Sequence, residues 1–324
     1  MIRCTAYGLL SAIVAALCFF SVAGSSRGNA TTSLLRIAAL PIDQTSDVFV
    51  AQDEGFFNKA GLNVHITVLN SGPAIIGAVS GGSADIGNAN PGSVAQARER
   101  GIALRFIAPA GLHVSSVPVD MLMVPRDSPI RSVADLAGKT VAVNALNALP
   151  NIATKAWIAR NGGDIRKVNF VELPFPIMGE ALTTGRVDAA EMTEPFITSS
   201  KRSIRALADV FNGIGKRFIV SGWFATDGWI DANPDEAGRF ATAMQRAHAW
   251  ANAHQKESAK ILVRHTTISA STAASMERVV FGSRLDGALI QPVLTTFSEF
   301  GGLPEPLDAS KIIWSGPARP ASAQ

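Results

Sequence analysis

Three times along this chain an apolar run of strand length ends in a small polar knot containing proline. They are Ile86 to Pro91 (IGNANP), Val143 to Pro150 (VNALNALP) and Met192 to Pro195 (MTEP). Asn and Thr cap helices by accepting hydrogen bonds from first-turn N–H groups, and proline sits in a first turn because its missing donor does no harm there. Each knot therefore reads as the end of a strand and the start of a helix, with Asn90 and Thr193 as caps. Ser71, followed by Pro73, repeats the device after the run HITVLN. Strand-to-helix passages repeated in this way build α/β units, and their helix starts look out over the carboxyl edge of a sheet, where ligands of open α/β folds collect.

The rest of the chain fits that plan. LLRIAAL (34–40) reads as a first strand, Ser46 as the cap of a helix, and Gly61 as the turn into a second strand; LRFIAPA follows as a further strand. DMLMV (120–124) reads as a segment crossing to a second lobe built from TVAV, VNFVEL and VDAAEM, with SVADLAGK as a short capped helix. KRFIVSGWFATDGWI reads as the crossing back, and residues 233–265 as one long amphipathic helix returning to the first lobe, with helical segments on to Phe300. Two lobes joined by two extended crossings make a hinge, and hinge closure around a small ligand is the motion such a build supports.

The first thirty residues have another purpose. Arg3 precedes an apolar stretch, Leu9 to Phe20, and small residues follow, which is the pattern of a secretory signal cleaved after Ala23 or Ala30. Cys4 and Cys18 are the only cysteines, so cleavage leaves neither disulfides nor a thiol nucleophile. The leader also carries Arg3 and Arg27 and no acid; the 29 basic side chains less those two, against 26 acidic, leave a formal +1. Near-neutral charge argues against a nucleic-acid partner, which needs basic patches. The expected product is soluble and periplasmic, with a flexible tail at 316–324.

Four segments in order carry a resemblance. AQDEGFFNKAGLNVHI (51–66), GSADIGNANPGSVAQARERG (82–101), SPIRSVADLAGKTVAV (128–143) and GRVDAAEMTEPF (185–196) resemble the motifs of the nitrate/taurine/alkanesulfonate group of extracytoplasmic solute-binding proteins. The resemblance runs from about Arg36 to Phe300. It implies an α/β periplasmic-binding-protein fold of the two-crossover type, each lobe a sheet flanked by helices. The expected division is lobe I at 31–117, lobe II at 118–220, and the return crossing with the remainder of lobe I at 221–315. It also implies no catalysis, no cofactor or metal, an ABC importer permease as membrane partner, and a monomer. The first expectation for the ligand is a sulfonate- or carboxylate-like anion, with a neutral heterocycle such as a thiamine-precursor pyrimidine as the alternative.

Several residues then become candidates for the cleft, each with a plainer reading beside it. Asn88 and Asn90 are placed to donate amides to a ligand oxygen, or only to make a turn and a cap. Ser71 and Gly72 open a neighbouring helix on the same edge. Asn144 and Asn147 are neutral donors from the second lobe, or solvated loop residues; Thr193 and Glu191 occupy its other edge. A carboxylate at Glu191 facing the cleft would repel an inorganic anion and favour an amine or ring N–H. Trp223 would stack on a ligand or pack in the hinge, while Gln44 and His113 stand on loops that reach ligands or solvent. Asp85 and Glu194 read as structural acids. No arginine falls at these strand ends, and Arg126 and Arg131 look exposed.

Other functions find less support. There is no Gly-x-Ser-x-Gly elbow, Walker loop or His-Glu-x-x-His motif. His248 and His254 are spaced onto opposite sides of a helix, which argues against a shared metal. A thiamine-pyrimidine synthase would use a cysteine-rich segment that the mature chain lacks, and a sensor ectodomain would need a separate membrane chain.

Overall fold

The computed structural model describes residues 34–316; the expected leader (1–30) and most of the expected tail lie outside the described residues. Among the described residues, thirteen strands form three sheets. The first lobe begins with β1 (Leu34–Ala39), β2 (Asn63–Val68), β3 (Ile86–Ala89) and β4 (Leu104–Pro109), followed by β5 (Gly111–Val114). The second lobe holds β6 (Asp120–Pro125), β7 (Thr140–Val143), β8 (Asn169–Glu172), β9 (Ala189–Thr193) and β10 (Ile204–Ala208). The chain then returns through β11 (Arg217–Ile219), β12 (Gly222–Thr226) and, later, β13 (Val280–Phe281).

The two large sheets follow one plan. Their orders are β2-β1-β3-β12-β4 and β10-β6-β9-β7-β8. Each has three parallel strands, β2-β1-β3 in one and β8-β7-β9 in the other, and each takes in one antiparallel strand that pairs on both sides. That strand is β12 in the first sheet and β6 in the second. The segments expected to be bare crossings, DMLMV and part of KRFIVSGWFATDGWI, are thus interior sheet strands. An apolar run without turn formers reads as extended in either role, and only its pairing partners tell them apart. The shorter links at 115–119 and 220–221 make the passage, beside the small sheet β11-β5-β13.

Helix starts follow the expected chemistry at two places. Ser71 Oγ accepts from the Ala74 N–H at the head of helix Gly72–Ser80, and Asn90 Oδ1 accepts from the Ser93 N–H at the head of helix Pro91–Glu99. Two expected caps do not form. Ser46 lies inside its helix, whose cap position is Thr45, and Thr193 ends β9, its hydroxyl turned to the Val119 carbonyl. Glu194 takes over there, accepting from the backbone and hydroxyl of Thr198. The expected helix at 233–265 breaks at His254 into Pro234–Ala253 and Gln255–His265, and SVADLAGK supplies a 3-10 turn, Val133–Leu136.

Burial explains what holds the lobes. Phe49, Phe57, Trp223 and Phe240 sit in a core beneath the first sheet, while Leu182, Met178 and Met192 fill the second lobe. Helix Gly287–Glu299 packs against both Pro91–Glu99 and Leu149–Arg160, so it touches helices of the two lobes at once. No described helix is long and apolar enough to cross a membrane.

Candidate functional site

Between the two large sheets lies a cavity of about 60 Å³, walled by residues of both lobes. Gly72, Asn88, Asn90 and Ser221 come from the first lobe, and Asp120, Asn144, Pro150, Phe175 and Thr193 from the second. Gln44 reaches in from the 3-10 turn Asp43–Thr45. These are strand ends and helix starts because both sheets turn their carboxyl edges toward the same gap.

Gln44 spans that gap. Its Nε2 donates to both oxygens of Asp120, at 2.7 and 2.6 Å, and lies 3.5 Å from Thr193 Oγ1. Asn144 Nδ2 donates across to the Asn70 carbonyl at 3.2 Å, and Gln96 Nε2 to the Asn147 carbonyl at 3.0 Å. The Asp43 N–H adds a bond to the Glu194 carbonyl at 3.2 Å. Asn90 is occupied locally at both ends of its amide, accepting from the Ser93 N–H and donating to Ser93 Oγ. Asn88 is not: its Nδ2 is buried and finds no partner, and Ser221 Oγ beside the cavity is likewise alone. Buried polar atoms without partners are rare and call for an occupant or a cost.

Behind the cavity stands a set of acids. β9 pairs with β6 so that Thr193 faces Asp120 and Glu191 faces Leu122, which puts Glu191 on the side of the sheet shared by Asp120. Neither oxygen of Glu191 has a hydrogen-bond partner. Burial, then the charges of Asp120 and Asp209, push its carboxyl well above the ordinary glutamate range. Burial likewise pushes Asp120 up to about 7. Asp209 is raised by burial against the pull of His113, whose Nε2 is 3.9 Å from Asp209 Oδ2. His113 itself is lowered, because burial disfavours its cation more than Asp209 supports it.

Of the expected cleft residues, Gln44, Gly72, Asn88, Asn90, Asn144 and Thr193 line the cavity. The other five do not. Ser71 is one residue short of the wall and serves as a cap. Asn147 is exposed and left-handed, with φ 57°, its backbone N–H bonded to Asn151 Oδ1. Glu191 and His113 lie behind the wall. Trp223 packs, but in the core of the first lobe and not in the hinge, with its Nε1 donating to Asp47 at 2.9 Å. Asp120 and Ser221 went unnoticed: Asp120 opens one run read as a crossing and Ser221 lies within the other, and the alternation within β6 would have pointed Asp120 to the face of Leu122. Asp85 is structural, accepting from the Arg36 guanidinium.

A family model described as NMT1/THI5 like matches residues 43–258. A Bacillus subtilis (strain 168) relative named "Putative aliphatic sulfonates-binding protein" is 23% identical over 260 residues, 78% of this chain and 76% of that one. The alkanesulfonate-binding protein SsuA from Xanthomonas axonopodis pv. citri, solved bound to MOPS, superposes with a TM-score of 0.71 at 21% identity, covering 87% of this chain and 98% of that one. The nitrate-binding protein NrtA from Synechocystis PCC 6803 gives 0.72 at 14% identity, covering 87% and 85%. These likenesses establish the periplasmic-binding-protein fold. A desulfurization enzyme, DSZB, shares it, with a TM-score of 0.63 at 17% identity over 87% of this chain and 96% of that one.

Proposed function

The chain belongs to the NMT1/THI5-like family, and on that premise we propose that it is an extracytoplasmic solute-binding protein that captures a small organic ligand by hinge closure and hands it to an ABC importer permease. One observation carries this reading: the polar cavity is shared between two sheets of matching plan, so that any solute held there bonds both lobes at once. Such a solute favours the closed arrangement of the lobes by its differential affinity for it, which is the signal a permease can read. The leader-like segment supports a periplasmic location.

Binding without chemistry is the better reading of the site. The cavity wall holds no cysteine, lysine or histidine, and its one ionisable side chain, Asp120, is held by Gln44. An enzyme on this fold would need an activated nucleophile or a positioned acid–base pair in reach of the ligand.

Thermal-shift screening of the mature protein against sulfonates, carboxylates, nitrate, pyrimidines and amines tests the reading, since a solute at 100 times its Kd adds about 2.7 kcal/mol of stability. X-ray scattering of the same samples should show compaction on binding. Silence across every class, or turnover of a bound compound, would overturn it.

A further inference from the structure

Resting on the solute-binding reading, we infer that the ligand presents an amidinium, guanidinium or protonated amine to Asp120, together with a hydrogen-bond acceptor to Asn88 and Ser221, and that simple oxyanions are disfavoured. The cavity offers no full positive charge: no lysine, arginine or histidine is among its lining residues, and Asp120 is the one ionisable group there. Every ionisable group facing Asp120 from its neighbours is also acidic: Glu191 and Glu194 from the end of β9, and Asp209 beyond β10. Two buried basic side chains stand nearby and both are engaged with other acids, His113 of β5 against Asp209 and Arg278 on Asp43.

An oxyanion placed here would have to be stripped of water beside a carboxyl with no cation to balance it, which is unfavourable in a low-dielectric site. The helix starts around the cavity do carry partial positive charge, about half a unit each. That is enough to tolerate one buried Asp120 and not a second anion. A cationic ligand reverses the balance, because its charge and that of Asp120 neutralise each other through charge-assisted hydrogen bonds.

The unpartnered groups are the independent sign of what is bound. Asn88 Nδ2 is 1% exposed and Ser221 is 5% exposed, and neither Nδ2 nor Oγ has a protein partner. Gln44 uses one nitrogen on Asp120, leaving the carboxylate with free acceptor positions. A cationic donor group with a separate acceptor oxygen or nitrogen elsewhere on the ligand satisfies Asp120 and Asn88 together. At about 60 Å³ the cavity holds a small polar recognition group.

Isosteric pairs of opposite charge make the test: guanidinium against nitrate, acetamidinium against acetate, and benzamidinium against benzoate, each titrated calorimetrically into the mature protein at pH 6 and pH 8. In at least one pair the cation should bind tenfold or more tighter than its anion, and its affinity should rise with pH. Asp120→Asn should weaken that cation about ten- to hundredfold. Asn88→Ala, which removes no charge and faces no acceptor on these cations, should leave their affinity within about twofold, and the cation–anion comparison in the unmodified protein keeps the inference falsifiable if the Asp120 variant unfolds. Tighter binding of the anion in any pair, or affinity for oxyanions gained in Asp120→Asn, overturns the inference and leaves solute binding intact. So does silence of all three cations while another solute from the wider screen binds. Silence of everything sinks the underlying function instead.

Discussion

Arg278 and Asp43 form a sealed ion pair: Nη2 stands 2.7 Å from Oδ1, Nε lies 3.0 Å from both carboxylate oxygens, and the side chains are 7% and 1% exposed. Asp43 also accepts from the Val279 N–H, and its own N–H reaches the Glu194 carbonyl of the other lobe. The pair thus anchors the turn that carries Gln44 to the cavity. Truncating one partner strands the other charge, so Arg278→Ala should cost about 3–5 kcal/mol in urea unfolding. Replacing both with apolar residues, Asp43→Leu with Arg278→Met, should recover much of that loss. Recovery of stability without recovery of ligand affinity would show that the pair positions Gln44.

Trp223 provides a check on where the site ends. Asp47 accepts from Trp223 Nε1 at 2.9 Å, and His248 Nε2 stands 2.7 Å from the same oxygen, all three buried. Trp223→Phe removes one donor from a buried carboxylate and should destabilise by about 1–3 kcal/mol. Ligand affinity should stay within about twofold. A tenfold change in Kd would return Trp223 to the cleft.

Gly92 marks a close approach between the helix that starts at Asn90 and the helix that touches both lobes. A Cβ at Gly92 would come within 2.1 Å of the Phe297 ring. Gly92→Ala should therefore cost about 1–3 kcal/mol through overpacking, read as a lowered midpoint in chemical denaturation. Phe297→Leu in the same background should restore part of it.

The buried acids set a pH dependence with a definite sign. Glu194 rises from 4.5 to about 7 and Asp120 from 3.8 to about 7, in each case because burial disfavours the anion. The folded protein keeps protons that the unfolded chain releases, so this contribution is complete below about pH 4 and is lost as pH climbs through 7. His113, lowered by burial, acts oppositely around its ordinary 6.5, but it is one group against several raised carboxyls. Ligand-free protein should unfold at higher urea at pH 5 than at pH 8. Asp120→Asn should flatten that slope, and an unchanged slope would contradict the assignment.

How much of this could be read beforehand depends on the kind of signal. Ser71 and Asn90 were legible because a cap is a local bargain between one side chain and N–H groups three residues on. The matching cap at Thr193 failed because Glu194, one residue later, holds the backbone of Thr198 instead. Asn88, Asn144 and Gln44 were legible as residues lining the gap, because each stands at or shortly after the carboxyl end of a strand. Asp120, Trp223 and His113 were not, since which face a strand residue takes depends on pairing with segments about 70 to 180 positions away, such as Asp120 with Thr193.

The position of β12 has a consequence for biogenesis. β3 and β4 are held together only through β12, whose residues emerge from the ribosome after the whole of the second sheet. Of the two large sheets, the one begun first is therefore the second to close, and until residue 226 arrives β3 and β4 keep open edges prone to pair with other chains.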